Sequence, residues 1–205
     1  MKKILLIPLM MLTMMPMAAC DGSNADPILP EQPGQPGNSD GGDEDDSTNP
    51  TNPIPGGNGR YLVLYCSRTG STERMAQQIQ QTLDCDILEV EPQTPYESDY
   101  NGMLNRAQEE LAAIRQGNYP AIKTSVEDFG NYDIVFVGYP IWYGSMATPM
   151  QTFLHNHASK LAGKRIALFA SSGSSGISAS VDEARTLCSG ATFTETLLLT
   201  SSTLS

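Results

Sequence analysis

From residue 60 onward, apolar runs typical of buried strands alternate with amphipathic stretches, and this alternation limits the possible folds more than any other feature. Residues 61–66 form a near-continuous apolar run, as in a strand buried on both faces. Residues 71–83 place apolar side chains four positions apart, as on one face of a helix. The same patterns predict further strands at 86–90, 132–138, 165–170 and 193–199, and further helices at 99–115, 146–158 and 177–188. Strands that alternate with helices predict right-handed crossovers and a parallel sheet, so the expected fold class is α/β.

The segment after the first predicted strand brings hydroxyl groups and a glycine to the start of a helix. It reads Ser67-Arg68-Thr69-Gly70-Ser71-Thr72. Backbone N–H groups at a helix N-terminus, with hydroxyls nearby, make a site for a phosphate group. Serine and threonine also cap helices, so a plain N-cap cluster is the equal alternative. The segment lacks the lysine of a Walker loop and does not match GxGxxG.

Two further segments of unusual composition follow the third and fourth predicted strands. The first is Gly138-Tyr139-Pro140-Ile141-Trp142-Tyr143-Gly144, which holds the only tryptophan of the chain. That ring either packs on the core or stacks on a flat ligand. The second is Ser171-Ser172-Gly173-Ser174-Ser175-Gly176, which either lets the backbone approach a ligand closely or forms a surface turn. In an open parallel sheet ligands bind at the carboxyl ends of the strands, where all three segments are expected to lie.

Together these three segments resemble the flavodoxin family, in particular its short bacterial flavodoxin-like branch, over about residues 61–203. Pro95, Tyr96, Asp99, Tyr100 and Arg106 also look like the stretch before the second helix in that branch. The resemblance implies a flavodoxin-like, doubly wound parallel five-stranded sheet of order 2-1-3-4-5. It also implies FMN as the cofactor, bound at the carboxyl edge of the sheet.

The resemblance assigns one part of FMN to each segment. It implies that the phosphate is bound by Ser67, Arg68, Thr69, Gly70, Ser71 and Thr72, and that the ring is flanked by Pro140, Ile141, Trp142, Tyr143 and Gly144. The backbone of Ser172, Gly173 and Gly176 would line the pyrimidine side of the ring. A solvent-facing side chain is the equal alternative for Arg68, because loops of the family do without a base at that position.

Two departures from the family pattern carry structural expectations. Many flavodoxins stack an aromatic side chain of the second flavin-flanking segment on the ring, but residues 171–176 contain none. One face of the ring is therefore expected to be open unless Tyr96 or Tyr143 covers it. The sequence also stops after the last predicted strand, without the final helix of the family. We therefore expect an exposed apolar strip near the first strand and the first helix, explained by a truncated reading frame or by a covering partner.

The N-terminus has the pattern of an export signal rather than of a folded element. Lys2 and Lys3 precede an apolar run that is too short for an ordinary membrane-spanning helix. The run ends in Met17-Ala18-Ala19-Cys20, which resembles the lipidation site of a bacterial lipoprotein. We therefore predict a lipoprotein signal peptide at 1–20, lipidated at Cys20, with a plain secretory signal as the alternative. The expected location is the bacterial cell envelope, with the protein exported and lipid-anchored to a membrane.

Residues 21–59 are expected to link this signal to the folded domain at 60–205. They are rich in Pro, Gly, Asn, Ser and Asp and contain no Lys or Arg, which predicts a disordered acidic tether. The acidic run at 43–46 is either a self-repelling spacer, a sorting signal or a metal site. Ten basic and fifteen acidic residues between 60 and 205 give the domain a net charge of −5, which argues against nucleic acid as a partner.

The remaining cysteines and the two histidines give no sign of a metal site. Cys66, Cys85 and Cys188 are odd in number and lack CxxC spacing, so we predict three buried free thiols, with one disulfide as the alternative. His155 and His157 lie two positions apart and do not share a helix face, so we interpret both as surface residues near a helix C-terminus.

These features predict an FMN-binding redox protein that transfers electrons at the cell envelope. Its partner is expected to be a redox protein or a small-molecule acceptor. An NAD(P)H-dependent FMN quinone or small-molecule reductase is the first alternative, and a cofactor-free envelope binding module is the second. The sequence does not identify a catalytic residue.

Overall fold

The computed structural model describes residues 60–200, so the predicted signal peptide, Cys20 and the predicted tether lie outside the described residues. The strands are β1 (Tyr61–Tyr65), β2 (Asp86–Glu89), β3 (Ile134–Trp142), β4 (Ser145–Met146), β5 (Arg165–Ser172), β6 (Thr192–Phe193) and β7 (Leu197–Thr200). The helices are α1 (Ser71–Leu83), α2 (Tyr100–Ile114), α3 (Thr148–His157) and α4 (Ser178–Leu187). No helix within 60–200 is long and apolar enough to cross a membrane.

The strands form one sheet that is parallel except at a short hairpin. Its order is β2-β1-β3-β5, and β6 and β7 both pair with β5. The two-residue strand β4 pairs antiparallel with β3 and stands outside this order. With β4 set aside and β6 and β7 taken as one strand, this is the predicted order 2-1-3-4-5. The predicted doubly wound α/β fold is therefore confirmed.

Side chains alternate across β1 and divide the core into two clusters. Leu62 and Leu64 point into the larger cluster, to which α2, α3 and α4 contribute. Val63 and Tyr65 point to the opposite face and pack against Met75 of α1. Among the described helices, α1 alone packs on that second face.

The face covered by α1 is where the sequence predicts an exposed apolar strip. Tyr61 and Phe136 are only half-buried there, and their rings meet edge to face at 6.3 Å. Leu197, which pairs with Phe169 at the other edge of the sheet, is 50% exposed. The large apolar side chain that is most exposed on this face thus lies on β7, and not beside β1 and α1 as predicted.

β3 extends four residues beyond its predicted end. Pro140 is a strand residue paired with Ser171, and its carbonyl accepts a hydrogen bond from Ala147 N–H at 3.2 Å. Tyr143 and Gly144 both have positive φ, 52° and 80°, as in the tight type I′ turn that joins hairpin strands. The predicted second segment is therefore the end of a strand and a two-residue turn. Pro140 is accommodated near the end of β3, although proline seldom lies inside a strand.

The last predicted strand is divided in two. Phe193 pairs with Ile166 and Leu197 pairs with Phe169, so the chain advances four residues while β5 advances three. One extra residue opposite a partner strand is a bulge, which interrupts the ladder between β6 and β7. The apolar pattern does not reveal a single inserted residue of this kind.

The three cysteines are free and buried, as predicted, but His157 corrects the interpretation of the histidines. His155 is exposed, whereas His157 is only 4% exposed. The Nε2 atom of His157 accepts the Val126 N–H at 3.2 Å and its Nδ1 lies 2.9 Å from the carbonyl of Phe153. Burial lowers the pKa of His157, so the neutral ring serves as a core residue that secures the 125–126 backbone.

Candidate functional site

The N-terminus of α1 is open to an anion. Gly70 is the N-cap residue, at φ 79°, and no side chain caps the helix. The hydroxyls of Ser67, Thr69 and Ser71 therefore do not accept from the N–H groups of the first turn, and these groups have no side-chain acceptor. Because such groups carry the positive end of the helix dipole, this geometry favours the phosphate interpretation of the segment over the N-cap interpretation.

A buried hydrogen bond fixes this helix end against β5. The hydroxyl of Thr72 lies 2.8 Å from that of Ser171, and both side chains are buried. Thr72 therefore joins the first predicted segment to the third through its side chain. Its hydroxyl keeps one further hydrogen-bonding position, because either of the two hydroxyls can be the donor in this contact.

The Arg68 side chain lines the cleft and is also anchored to the connection between β2 and α2. Its Nη2 donates to the carbonyls of Glu97, Ser98 and Asp99, at 3.3, 3.0 and 3.2 Å. The guanidinium thus links the first of the three segments to the connection between β2 and α2. Its role in the structure is to hold that connection beside the site.

The hairpin places Trp142 and Tyr143 in different environments. Trp142 is 9% exposed and belongs to the larger core cluster, with the Tyr96 ring edge-on at a centroid distance of 5.0 Å. Tyr143 is 50% exposed and its hydroxyl donates to the Leu104 carbonyl at 3.4 Å. Trp142 therefore packs on the core and also presents one side to the cleft that the three segments form.

One cleft of about 460 Å³ collects all three segments. Every residue predicted for the FMN site lines it except Gly70, Gly144 and Gly176. Sequence reasoning did not assign to the site the other lining residues, Tyr100, Met103, Leu104, Ser171, Ser174, Ser175 and Leu199. Met103 and Leu104 belong to the apolar stripe predicted for this helix, and nothing in that pattern indicates that α2 also forms a wall of the cleft.

The chemistry of the cleft suits an anionic, flat ligand. Arg68 is the only charged residue that lines it, although the domain as a whole is acidic. The third segment is ordered by the Ser175 N–H, which donates to the Ser172 hydroxyl at 2.8 Å. A Cβ atom added at Gly173 meets nothing within 4 Å, so this wall is open space. The volume lies within the range of small-molecule sites.

A second cavity of about 430 Å³ adjoins the cleft. The two share Ser67, Arg68, Thr69, Pro140 and Trp142 as lining residues. Tyr96 lines the second cavity only. Trp142 is therefore part of the wall between the two spaces, and its orientation affects the shape of both.

A family model described as flavodoxin matches residues 60–205, which include every described element and all three segments. The chain belongs to the flavodoxin family. No curated protein matches this flavodoxin-family chain.

Solved flavoprotein structures are similar to this flavodoxin-family chain. One from Bacteroides eggerthii has 34% identity and a TM-score of 0.61, covering 68% of this chain and 87% of that one. One from Bacteroides uniformis has 29% identity and a TM-score of 0.60, covering 71% and 92%. A flavoprotein from Lactobacillus acidophilus in complex with FMN has 26% identity and a TM-score of 0.59, covering 68% and 92%.

Proposed function

We propose that this flavodoxin-family chain binds FMN in the cleft and transfers electrons at the bacterial cell envelope. The observation that carries the proposal is an uncapped helix N-terminus in a cleft lined by no carboxylate, since Glu73, the acidic residue of the first turn, is not among the lining residues. A phosphate dianion needs such surroundings, because nearby carboxylates would repel it. The similar Lactobacillus acidophilus flavoprotein, which was solved with FMN, supports the same cofactor.

The residues of the cleft divide into a phosphate end and a ring end. The first-turn N–H groups of α1, with the hydroxyls of Ser67 and Thr69, would hold the phosphate. Trp142 and Tyr143 would flank the ring, and the backbone at Gly173 would line its pyrimidine side. When bound, FMN supplies one-electron or hydride chemistry, and the protein contributes orientation and electrostatics.

Trp142 makes the binding test specific, because it is the only tryptophan of the chain. We expect FMN to quench its emission and to form a yellow complex at micromolar concentration or below, because the ring would lie beside Trp142. Riboflavin, which lacks the phosphate, is expected to bind at least about tenfold more weakly. Absence of quenching and of a yellow complex at micromolar FMN would exclude the proposal.

One observation favours a reductase as a second candidate. The third segment carries no aromatic side chain, and Gly173 is exposed at the open wall of the cleft. A flat acceptor or a nicotinamide could reach the ring from that side. Steady-state oxidation of NAD(P)H with a quinone acceptor distinguishes a reductase, which turns over, from an electron carrier, which requires a redox partner protein.

The envelope location rests on the sequence of residues 1–20. A cysteine that carries acyl chains is anchored strongly, since each buried methylene contributes about 0.8 kcal/mol. We expect the Cys20→Ala variant to move from the membrane fraction to the soluble exported fraction, whereas the neighbouring Ser23→Ala variant stays in the membrane fraction. Metabolic labelling with palmitate gives the direct readout, and equal labelling of both variants would exclude Cys20 as the anchor.

A further inference from the structure

A cluster of polar side chains lies behind Trp142, on the side away from the cleft. Glu110 of α2 is its centre, and its side chain is 13% exposed. Tyr96 donates its hydroxyl to Glu110 Oε2 at 2.5 Å, and the hydroxyl of Thr148 donates to the same oxygen. Thr148, the first residue of α3, is fully buried. A carboxylate in this position is well paired, because both of its oxygens are used.

The second oxygen of Glu110 accepts from Arg106. The Arg106 Nε–Glu110 Oε1 distance is 2.8 Å, and the guanidinium also donates to the carbonyls of Thr94 and Pro95 at 2.9 Å each. The same guanidinium lies over the Tyr96 ring, 4.2 Å from its centroid. Tyr96 is therefore held at its hydroxyl by Glu110 and on its ring face by Arg106.

Tyr96 transmits this arrangement to the flavin cleft. Its ring meets the Trp142 ring edge-on, at 5.0 Å and 80°. Thr148 follows the hairpin that carries Trp142, so Glu110 is also connected to the return of that hairpin. Glu110 itself lines neither the cleft nor the second cavity. The contacts through Tyr96 and Thr148 connect Glu110 to Trp142 at the cleft.

We propose that Glu110 is a positioning residue for flavin binding: it fixes Tyr96 and the start of α3, and thereby the orientation of Trp142 beside the ring. This inference rests on the proposed FMN site. Under this inference, residues 94–96 and α2 contribute to ring binding, although they lie outside the three cleft segments. A contribution to fold stability alone is the competing explanation.

Glutamine at position 110 tests the arrangement without a large change in shape. The carboxylate provides two acceptor atoms, one for Arg106 and one for the two hydroxyls, whereas an amide provides one acceptor and one donor. Glu110→Gln therefore removes the negative charge beside Arg106, and it forces either the guanidinium or the two hydroxyls to give up donating to a carboxylate oxygen. The neighbouring Glu109→Gln is the matched control, because Glu109 is on the same helix but exposed and has the same charge.

We expect Glu110→Gln in the full chain to weaken binding of both FMN and riboflavin by about tenfold, as for loss of a charged hydrogen bond. Both flavins are expected to lose affinity by the same factor, because they share the ring and the substitution leaves the phosphate end of the cleft intact. The emission maximum and near-ultraviolet circular dichroism of Trp142 in the FMN-free protein should change as well. Glu109→Gln should leave both flavin affinities and both spectra unchanged.

Tyr96→Phe removes the hydroxyl and keeps the ring, which provides a second variant if Glu110→Gln unfolds. The two substitutions together should weaken flavin binding no more than Glu110→Gln alone, because they interrupt one connection. Reduced thermal stability with unchanged flavin affinities and unchanged Trp142 spectra would overturn the proposal. Failure of the unsubstituted chain to bind either flavin would instead exclude the proposed function, and the FMN-free Trp142 spectra would still test the positioning.

Discussion

Ser71→Asp is expected to weaken FMN binding by about 100-fold or more and to leave riboflavin binding nearly unchanged. Ser71 is the first residue of α1 and lines the cleft. Two unit charges about 4 Å apart repel by about 4 kcal/mol at an effective dielectric constant of 20. Arg74 Nη2 lies 3.5 Å from the Ser71 hydroxyl and would partly neutralise the new carboxylate, so the expected loss is smaller than this repulsion alone gives.

Ser71→Asp is not expected to lower the stability of the folded chain without FMN. A carboxylate in the first turn stabilises a helix by about 0.3–1 kcal/mol. Denaturant unfolding should therefore show an unchanged or slightly higher stability, so that weaker FMN binding is not due to unfolding. Ser71→Asn is the matched control, since it has nearly the same shape without the charge. Equal FMN affinity of the Asp and Asn variants would place the phosphate elsewhere.

Gly138→Ala is expected to destabilise the domain by about 3 kcal/mol, at the upper end of the usual cost of overpacking. A Cβ atom at this position would lie 2.1 Å from Phe169 Cζ and 2.2 Å from its Cε2. Phe169 is paired with Gly138 across β3 and β5 and is 2% exposed. Because the Phe169 ring is buried in the cluster that packs against α1, the added atom requires either that the two central strands separate or that the Phe169 side chain leaves its rotamer.

Two further variants distinguish this clash from a general intolerance of alanine. Gly176→Ala adds the same atom where nothing lies within 4 Å, so its stability should change by less than about 0.5 kcal/mol. Adding Phe169→Leu to Gly138→Ala should restore part of the lost stability, because the smaller side chain makes room for the methyl group. Denaturant midpoints measure all three effects. An unchanged midpoint for Gly138→Ala would show that β3 and β5 are not packed as described.

The pattern of the sequence predicts the regular elements well where local periodicity is strong. α1 has its predicted bounds, 71–83, because three apolar residues repeat on one helix face and Gly70 precedes its start. β3 continues beyond its predicted end at residue 138, because the residues after it have hairpin partners that the local apolar pattern does not show. The burial of His157 is not predictable from the local pattern, because its Nε2 atom accepts from the Val126 backbone, 31 positions away in sequence.

The candidate site also combines features that the sequence predicts with features that only the tertiary structure shows. The hydroxyl-rich start of α1, the single tryptophan and the Gly/Ser segment after β5 are local features, and the sequence alone was enough to bring them together at one edge of a parallel sheet. The wall that α2 contributes and the contacts of Arg68 depend on how the connection between β2 and α2 folds back, which no local pattern describes.

The sequence by itself therefore determined the order of strands and helices, and with it the edge where the flavin segments meet, because periodicity and chain order are sufficient to specify a parallel sheet. Only the tertiary structure decided what surrounds those segments. Glu110 and Thr148 are 38 residues apart, yet they meet behind Trp142. Such contacts arise from packing between elements that are distant in the chain, so their partners cannot be read from either segment alone.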